Sequence, residues 1–250
     1  MKSIGVIVGF LLFTAMFIKA QTSDLLLPSE MPREQVIQHE AFTMSYNSSY
    51  VLPSWVASKV TKSQVNKEEK VKMKYKTDPL IKTKKAEKKD YNGSGYLMSQ
   101  LVSYLDVKQS PSAVNESFYM SNIVPMKLAF YNHIWLKLED MTRAWAAESE
   151  GIYVITGPIL TDTPFPTFGD SKISIPTRYY KILYDPTNER ALAFIFRNSM
   201  SSGTLKSFTV TIDQVEKETG IDMFPDLDDE LENKIEGLRH LDKWDFEVLD

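Results

Sequence analysis

Apolar and polar residues alternate near the start of the predicted fold. Residues 42–46 alternate as a half-buried strand does, and residues 51–60 form a second candidate strand after the polar turn Asn47-Ser48-Ser49. Two neighbouring strands joined by a short turn pair most simply as a β-hairpin. The pattern therefore predicts a hairpin over residues 42–60.

Helical periodicity is strongest in the middle of the chain. A helix over residues 131–148 is predicted from a stripe of apolar residues, which are Ile134, Leu138, Met141 and Trp145. Further strands are predicted at residues 152–156, 172–175, 179–184, 191–196 and 208–211. Thr211 and Gln214 have the spacing of a capping box, so a second helix is predicted to begin there and to end at Gly220. These elements predict an α+β fold with a mostly antiparallel sheet.

The N-terminus has the pattern of a secretion signal. A basic start at Lys2 precedes an apolar run over residues 4–17, which is too short to cross a bilayer as a helix. We expect a signal peptide at residues 1–20, cleaved after Ala20, and export to the periplasm or the cell surface. The mature chain then divides into an extended lead-in at residues 21–38, a folded domain at residues 39–225 and an acidic C-terminal segment at residues 226–250.

Composition and charge exclude several kinds of chemistry. The chain has no cysteine and three histidines, which excludes disulfides and cysteine nucleophiles and leaves a three-histidine metal cage nearly excluded. Basic residues are concentrated at residues 59–89 and acidic residues at residues 222–250. The basic segment is either an exposed surface or a phosphate-binding patch. Its candidate nucleic-acid contacts are Lys82, Lys84, Lys85, Lys88 and Lys89.

Six sequence blocks occur in an order that resembles a known family. They are DYNGSGY at 90–96, FYMSNIVP at 118–125, WLKLE at 135–139, YVITGP at 153–158, IPTRYYK at 175–181 and VEKETGIDMFP at 215–225. In this order they resemble the DNA/RNA non-specific endonucleases, which are ββα-metal or His-Me finger nucleases. The resemblance implies a nuclease-like fold for residues 39–225, and the blocks look more like those of secreted Bacteroidota proteins than of others.

The family's catalytic residues are replaced in this sequence. The family has Asp-Arg-Gly-His directly after the glycine-rich block, and here those places hold Leu97, Met98, Ser99 and Gln100. A glutamine amide is not basic near neutral pH, so it does not take a proton from water. The resemblance therefore implies that the family's general base is lost.

The family's metal ligand is replaced as well. The resemblance places an asparagine ligand where this chain has Tyr131, and a neutral phenol is a poor ligand for Mg²⁺. Asn132 is adjacent but points away on a helix, and Glu139 matches the family's supporting carboxylate. We therefore expect no metal, and Mg²⁺ only if the chain is active.

Three functions are compatible with this pattern. The first is a catalytically inactive endonuclease-like protein, hence no enzyme, that is a binding or structural subunit of a cell-envelope assembly with outer-membrane or other envelope proteins as partners. The second is a divergent Mg²⁺-dependent DNA/RNA endonuclease that uses Asn132, Glu139 and an unidentified base. The third is nucleic-acid binding without cleavage through the lysine-rich segment. The first is the main prediction, because a fold can persist after its chemistry is lost.

Overall fold

The computed structural model describes residues 25–69, 71–200 and 202–248. The predicted signal peptide at residues 1–20 lies outside the described residues. Within the described ranges, no helix combines the length and the apolarity that a bilayer crossing requires.

Eleven strands and six α-helices form the described part of the chain. The strands are β1 Gln35–Gln38, β2 Phe42–Asn47, β3 Leu52–Val60, β4 Leu97–Gln100, β5 Ile123–Met126, β6 Ile152–Pro158, β7 Thr167–Phe168, β8 Ile173–Ser174, β9 Arg178–Asp185, β10 Arg190–Arg197 and β11 Thr209–Val210. The helices are α1 Lys62–Asn66, α2 Pro111–Ser117, α3 Leu128–Phe130, α4 Leu136–Ala147, α5 Ile212–Thr219 and α6 Asp229–Glu236. Tyr131–Trp135 forms a π-helical turn that joins α3 to α4 in one continuous helix.

A seven-stranded antiparallel sheet forms the centre of the fold. Its strand order is β1-β2-β3-β6-β9-β10-β11. The predicted hairpin is present as β2 and β3, with Met44 opposite Val56, and its turn is held where the Asn47 side chain accepts the Ser49 N–H at 3.0 Å. Residues 35–38, which the sequence assigns to an extended lead-in, form β1 against β2. The predicted α+β class with a mostly antiparallel sheet is confirmed.

Each face of the sheet is covered by helices. The side chains of successive β9 residues alternate between two apolar clusters, so Tyr179 packs with α4 on one face and Tyr180 packs with α5 and α6 on the other. The predicted second helix is present as α5: the Thr211 hydroxyl accepts the Gln214 N–H at 3.1 Å, and Gly220 ends the helix at φ +73°. Its Gln214 side chain bonds Glu218 instead of completing the predicted box.

The acidic C-terminal segment packs on the long helix. The Trp145 indole N–H donates to the Asp245 carbonyl at 2.6 Å, and the ring of Trp244 lies 4.9 Å from that of Trp145. Trp244 is buried although its neighbours are charged. These contacts fix the end of α4 that lies far from the π-helical turn.

A small hairpin outside the main sheet precedes the long helix. β4 pairs with β5 in an antiparallel register that sets Gln100 opposite Ile123. The chain then enters α3 and the π-helical turn directly after β5. This hairpin-helix unit places residues from β4 and α4 around one cleft.

Candidate active site

A cleft of about 270 Å³ lies between β4 and the long helix. All four residues of β4 line it, together with Tyr131, Leu136 and Glu139 from the helix. The opposite wall carries the aromatic rings of Tyr75, Tyr104 and Phe118. The structure therefore brings the replaced family positions of β4, Tyr131 and Glu139 into one cavity.

The Gln100 amide is fixed by backbone and side-chain contacts. Its Nε2 donates to the Ser117 carbonyl at 2.8 Å and to the Ser117 hydroxyl at 3.1 Å, and its Oε1 accepts the Tyr104 N–H at 3.2 Å. Both ends of the amide are thus occupied by α2 and by the loop after β4. Gln100 therefore supports the cleft wall and offers no basic atom to a substrate.

Ser99 of β4 carries an unusual hydroxyl. The residue is buried, and within the described part of the chain its Oγ has no hydrogen-bond partner. A buried hydroxyl without a partner costs free energy that a bound polar group or water recovers. Because this oxygen has almost no accessible surface, it lies behind the cleft wall, and no ligand contact is assigned to it.

Within the π-helical turn, Tyr131 lines the cleft but the two residues after it do not. Tyr131 faces the cleft, while Asn132 and His133 are exposed and do not line it. Burial, followed by the nearby Glu139 carboxylate, raises the pKa of the Tyr131 phenol, which therefore stays neutral. π-helical turns are rare in proteins, and a large share of those that occur lie at functional sites.

Glu139 is the ionisable group at the floor of the cleft. Its side chain is 3% exposed, and its Oε1 accepts the Trp135 indole N–H at 3.0 Å. Burial raises the pKa of Glu139 to about 7, and the nearby Lys181 ammonium opposes that rise. A carboxyl that titrates near neutral pH is able to exchange protons as a general acid or base.

Two buried cations, Lys181 and Arg143, lie near this carboxylate and favour its ionised form. Lys181 of β9 is fully buried with its ammonium 5.0 Å from the Trp135 ring centroid, and burial lowers its pKa while Glu139 opposes that effect. Arg143 donates to Asp106 at 2.9 Å and to Asp140 at 2.5 Å. The sequence reasoning missed Lys181, although a lysine inside an otherwise apolar strand is a visible signal.

The residues at the family's ligand position do not fit Mg²⁺. This ion takes carboxylate, amide-carbonyl and water oxygens in near-octahedral geometry. Here Tyr131 offers a neutral phenol, Asn132 lies outside the cleft, and the Gln100 oxygen already accepts a backbone N–H. Glu139 is the one carboxylate among the described residues that line the cavity.

The predicted nucleic-acid contacts lie on a different surface, and their role stays a prediction. Most of these side chains are exposed: Lys82, Lys84, Lys88 and Lys89. Lys85 is half-buried and donates to the Ile81 carbonyl at 3.2 Å, which gives it a structural role. Lys89 pairs with Glu87 at 3.2 Å.

A buried histidine cluster lies nearby but outside the cleft. His39 Nε2 lies 3.0 Å from Asp78 Oδ2, and the Ser121 hydroxyl donates to the same oxygen at 2.5 Å. Burial opposes ionisation of Asp78, but these hydrogen bonds outweigh it and hold the pKa of its carboxyl below the ordinary value. Because both His39 and Asp78 are buried and hydrogen-bonded, the cluster stabilises the loop that contains Asp78.

A hairpin followed directly by a helix, with both lining one cleft, is the arrangement of ββα nucleases. The family model for DNA/RNA non-specific endonucleases matches residues 28–230. The chain therefore belongs to the DNA/RNA non-specific endonuclease family, and the predicted family and fold are confirmed.

Several nucleases are similar to this chain. Nuclease C1 of Cunninghamella echinulata var. echinulata is 28% identical over 214 residues, which are 77% of this chain and 83% of that protein. The nuclease of Serratia marcescens is 28% identical over 208 residues, 79% and 77% of the two chains. Mitochondrial nuclease EXOG of Danio rerio is 28% identical over 202 residues, and the match covers 74% of this chain but 59% of EXOG.

The fold is shared with a nuclease-inhibitor complex among the solved structures. It is described as the crystal structure of the EndoG/EndoGI complex and the mechanism of EndoG inhibition. The TM-score is 0.73 at 23% identity, with 82% of this chain and 91% of that chain covered. This likeness supports the ββα nuclease fold and no finer property.

The comparisons overturn the main functional prediction. An inactive binding or structural subunit of an envelope assembly is wrong, and so is the conclusion that the chain is no enzyme, because the family and its similar relatives are nucleases. The prediction relied on the four residues of β4 and on Tyr131, and it gave little weight to Glu139. The carboxyl of Glu139 titrates near neutral pH only because the folded core buries it, which the sequence pattern did not reveal.

Proposed function

We propose that this protein is a divergent nuclease that hydrolyses phosphodiester bonds of DNA or RNA in the cleft between β4 and α4. The proposal is supported by membership of the endonuclease family and by nuclease relatives that match about three quarters of the chain. The observation that carries it is the Glu139 carboxyl, which lies at the floor of the cleft with a pKa of about 7.

Glu139 has the properties of a general base for water. Its Oε1 is held by the Trp135 N–H, so the second carboxylate oxygen is the one that takes a proton from an attacking water molecule. The water oxygen then bonds to phosphorus, and the bond to the leaving oxygen breaks as that oxygen acquires a proton from solvent. Lys181 stabilises the ionised form of Glu139 before the proton is transferred.

The walls of the cleft have surfaces suited to nucleobases. Half-buried Tyr75 and Tyr104 pack on the ring of buried Phe118, with centroids 5.5 Å and 5.6 Å from it, so the two tyrosines offer the ring surface that a base can contact. Aromatic faces bind bases with little sequence preference, at about 1–3 kcal/mol per base. No step of the mechanism passes through a metal ion, because the residues at Tyr131 do not fit Mg²⁺.

Export is part of the proposal and is supported by the N-terminal sequence. A basic start and an apolar run over residues 4–17 have the composition of a secretion signal. An exported nuclease acts on nucleic acid outside the cytoplasm, and the partners expected in the envelope stay a prediction.

Cleavage assays test the proposed reaction. Purified protein is incubated with plasmid DNA and with RNA, in buffers containing either Mg²⁺ or EDTA, and Glu139→Gln is compared with Glu150→Gln on the exposed surface. We expect Glu139→Gln to lower the rate by about 10²–10⁴ and Glu150→Gln to leave it unchanged. Absence of cleavage by the unmodified protein in every buffer would refute the proposal, and a strict requirement for Mg²⁺ would contradict the fit argument at Tyr131.

The pH profile separates a base from a positioning residue. If Glu139 is the base, the rate falls as pH drops below about 7, because protonation removes the active form. If Glu139 only positions Trp135, its replacement lowers the rate but leaves this pH dependence in place. A flat profile in the unmodified protein would count against Glu139 as the base.

A further inference from the structure

A second group of acidic side chains lies on the opposite face of the sheet, between α5 and α6. It consists of Asp213 and Glu216 of α5 and Glu236 at the end of α6. One carboxylate oxygen from each residue lies within 4.8 Å of the others. Three oxygens this close lie at most about 2.8 Å from a common point, so small side-chain shifts bring all three to the Ca²⁺ ligand distance of roughly 2.4 Å.

Glu236 is the member that distinguishes this group from an ordinary acidic surface. Glu236 is 5% exposed. Among the described residues, its Oε1 has no hydrogen-bond partner. A buried carboxylate oxygen without a partner is costly, because it has lost its water and gained no replacement. Glu236 contributes one carboxylate oxygen to the cluster, so its unpaired Oε1 lies within one carboxyl group's width of that position.

The surrounding charges increase this cost. The charges that act most strongly on Glu236 are all carboxylates, and they belong to Glu216, Glu232, Asp213 and Asp222. Glu216 is oriented by the Met223 N–H, which donates to its Oε1 at 2.7 Å. Like charges held this close repel one another unless a cation or a proton is shared between them.

We propose that Asp213, Glu216 and Glu236 bind a Ca²⁺ ion that joins α5 to α6. Hard carboxylate oxygens are the ligands that Ca²⁺ prefers, and its irregular coordination of six to eight oxygens accommodates three protein ligands completed by water. The ion neutralises the cluster and gives the buried Glu236 carboxylate the partner that it lacks. Its role is structural, since the cluster lies against α5 and α6 while the catalytic cleft lies against α4.

The site depends on a residue beyond the family match. The match ends at residue 230, and Glu236 follows it by most of α6. The helix is itself attached to the sheet through buried Ile235, so the ligand is held by packing before an ion binds. Ca²⁺ therefore stabilises the attachment of α6 to the family core.

Thermal unfolding with CaCl₂ tests the site. A ligand that binds only the folded state at a hundredfold excess over its dissociation constant raises the melting temperature of a chain this size by about 5–10 °C. We expect that rise in the unmodified protein and its loss in Glu236→Gln and in Asp213→Asn. Glu230→Gln, an exposed residue on the same helix, is the matched control and should retain the rise.

Titration calorimetry with CaCl₂ on the same four proteins measures binding directly. One equivalent of heat-detected binding in the unmodified protein and in Glu230→Gln, absent from the two cluster variants, supports the site. A protein that does not bind Ca²⁺, while Glu236→Gln is more stable than the unmodified protein, would show that the carboxylates share a proton instead and would overturn the proposal. Binding of MgCl₂ without binding of CaCl₂ would overturn the assignment to calcium.

The cleft variant separates this inference from the proposed nuclease activity. Glu139→Gln leaves α5 and α6 unchanged and should keep the full response to CaCl₂. Loss of the response in that variant would contradict a local site at Asp213, Glu216 and Glu236.

Discussion

Replacement of Glu139 by glutamine changes stability in a pH-dependent way that the structure determines. Glutamine has nearly the same shape and keeps an oxygen to accept the Trp135 N–H, but it has no charge to bury. In the folded protein burial raises the pKa of Glu139 from 4.5 to about 7. The change therefore removes one buried ionisation and little packing.

The magnitude follows from proton linkage. Between pH 4.5 and pH 7 the folded state binds more protons at Glu139 than the unfolded state does, so stability falls as pH rises through this window. The difference between the two values corresponds to about 3 kcal/mol in the free energy of unfolding. Through ionisation of Glu139, the unmodified protein should lose about 3 kcal/mol of stability between about pH 4 and pH 8. Glu139→Gln should not show this loss.

Urea unfolding followed by tryptophan fluorescence measures this difference, since all four tryptophans are buried. The measured quantity is the stability of Glu139→Gln minus that of the unmodified protein at each pH. We expect it to increase by about 3 kcal/mol from pH 4 to pH 8, while the same difference for Glu150→Gln stays near zero. If the stability difference between Glu139→Gln and the unmodified protein does not change with pH, the pKa of Glu139 is not raised in the folded state. That result would also refute Glu139 as the proposed base.

Three further predictions concern the core and the basic surface. Asp106→Asn leaves the buried Arg143 guanidinium with its half-exposed partner Asp140, and we expect a loss of about 3 kcal/mol in urea unfolding, against under about 1 kcal/mol for Asp140→Asn. Gly157→Ala places a Cβ 2.3 Å from the Ser54 carbonyl oxygen between β6 and β3, so it should lower stability by more than about 2 kcal/mol in the same assay. If the lysine-rich surface contacts phosphates, neutralising exposed lysines reduces the salt dependence of DNA retention by roughly 0.9 per lost contact, and an unchanged slope would exclude that role. The lysines to replace by glutamine are Lys82, Lys84 and Lys88.

The predictable part of the fold is the part whose burial follows a local period. The hairpin β2–β3 and the stripe from Ile134 to Trp145 were predicted because apolar residues recur along one face of each element. The prediction that residues 42–46 are half-buried was wrong, because Thr43 and Ser45 on the other face are buried as well. β4 was missed because it has four residues and pairs outside the main sheet, with a strand that contains Pro125. A strand this short has too few alternating positions to be distinguished from a loop.

The site was predictable in position but not in chemistry. The sequence blocks placed residues 97–100, Tyr131 and Glu139 around one centre, and the structure brings them into one cleft. The ionisation of Glu139, however, depends first on its burial and then on Lys181 and Asp106, which are distant in sequence and approach it only in the folded chain. Interactions between distant segments at one buried carboxyl are set by the tertiary fold, and no local pattern reports them.

The dependence of the Glu139 pKa on the tertiary fold explains how this fold tolerates replacement of the family's residues on β4. The cleft is shaped by the backbone of β4 and by the helix behind it, and the helix is anchored by fully buried Trp135 and Trp145. Replacing the side chains of β4 leaves this frame intact, because Gln100 still bonds α2 and the wall keeps its position. Glu139 belongs to the anchored helix, so its burial and its proton affinity survive changes on the strand. The proposed proton transfer therefore lies on the helix side of the cleft, where burial in the folded core raises the pKa of Glu139.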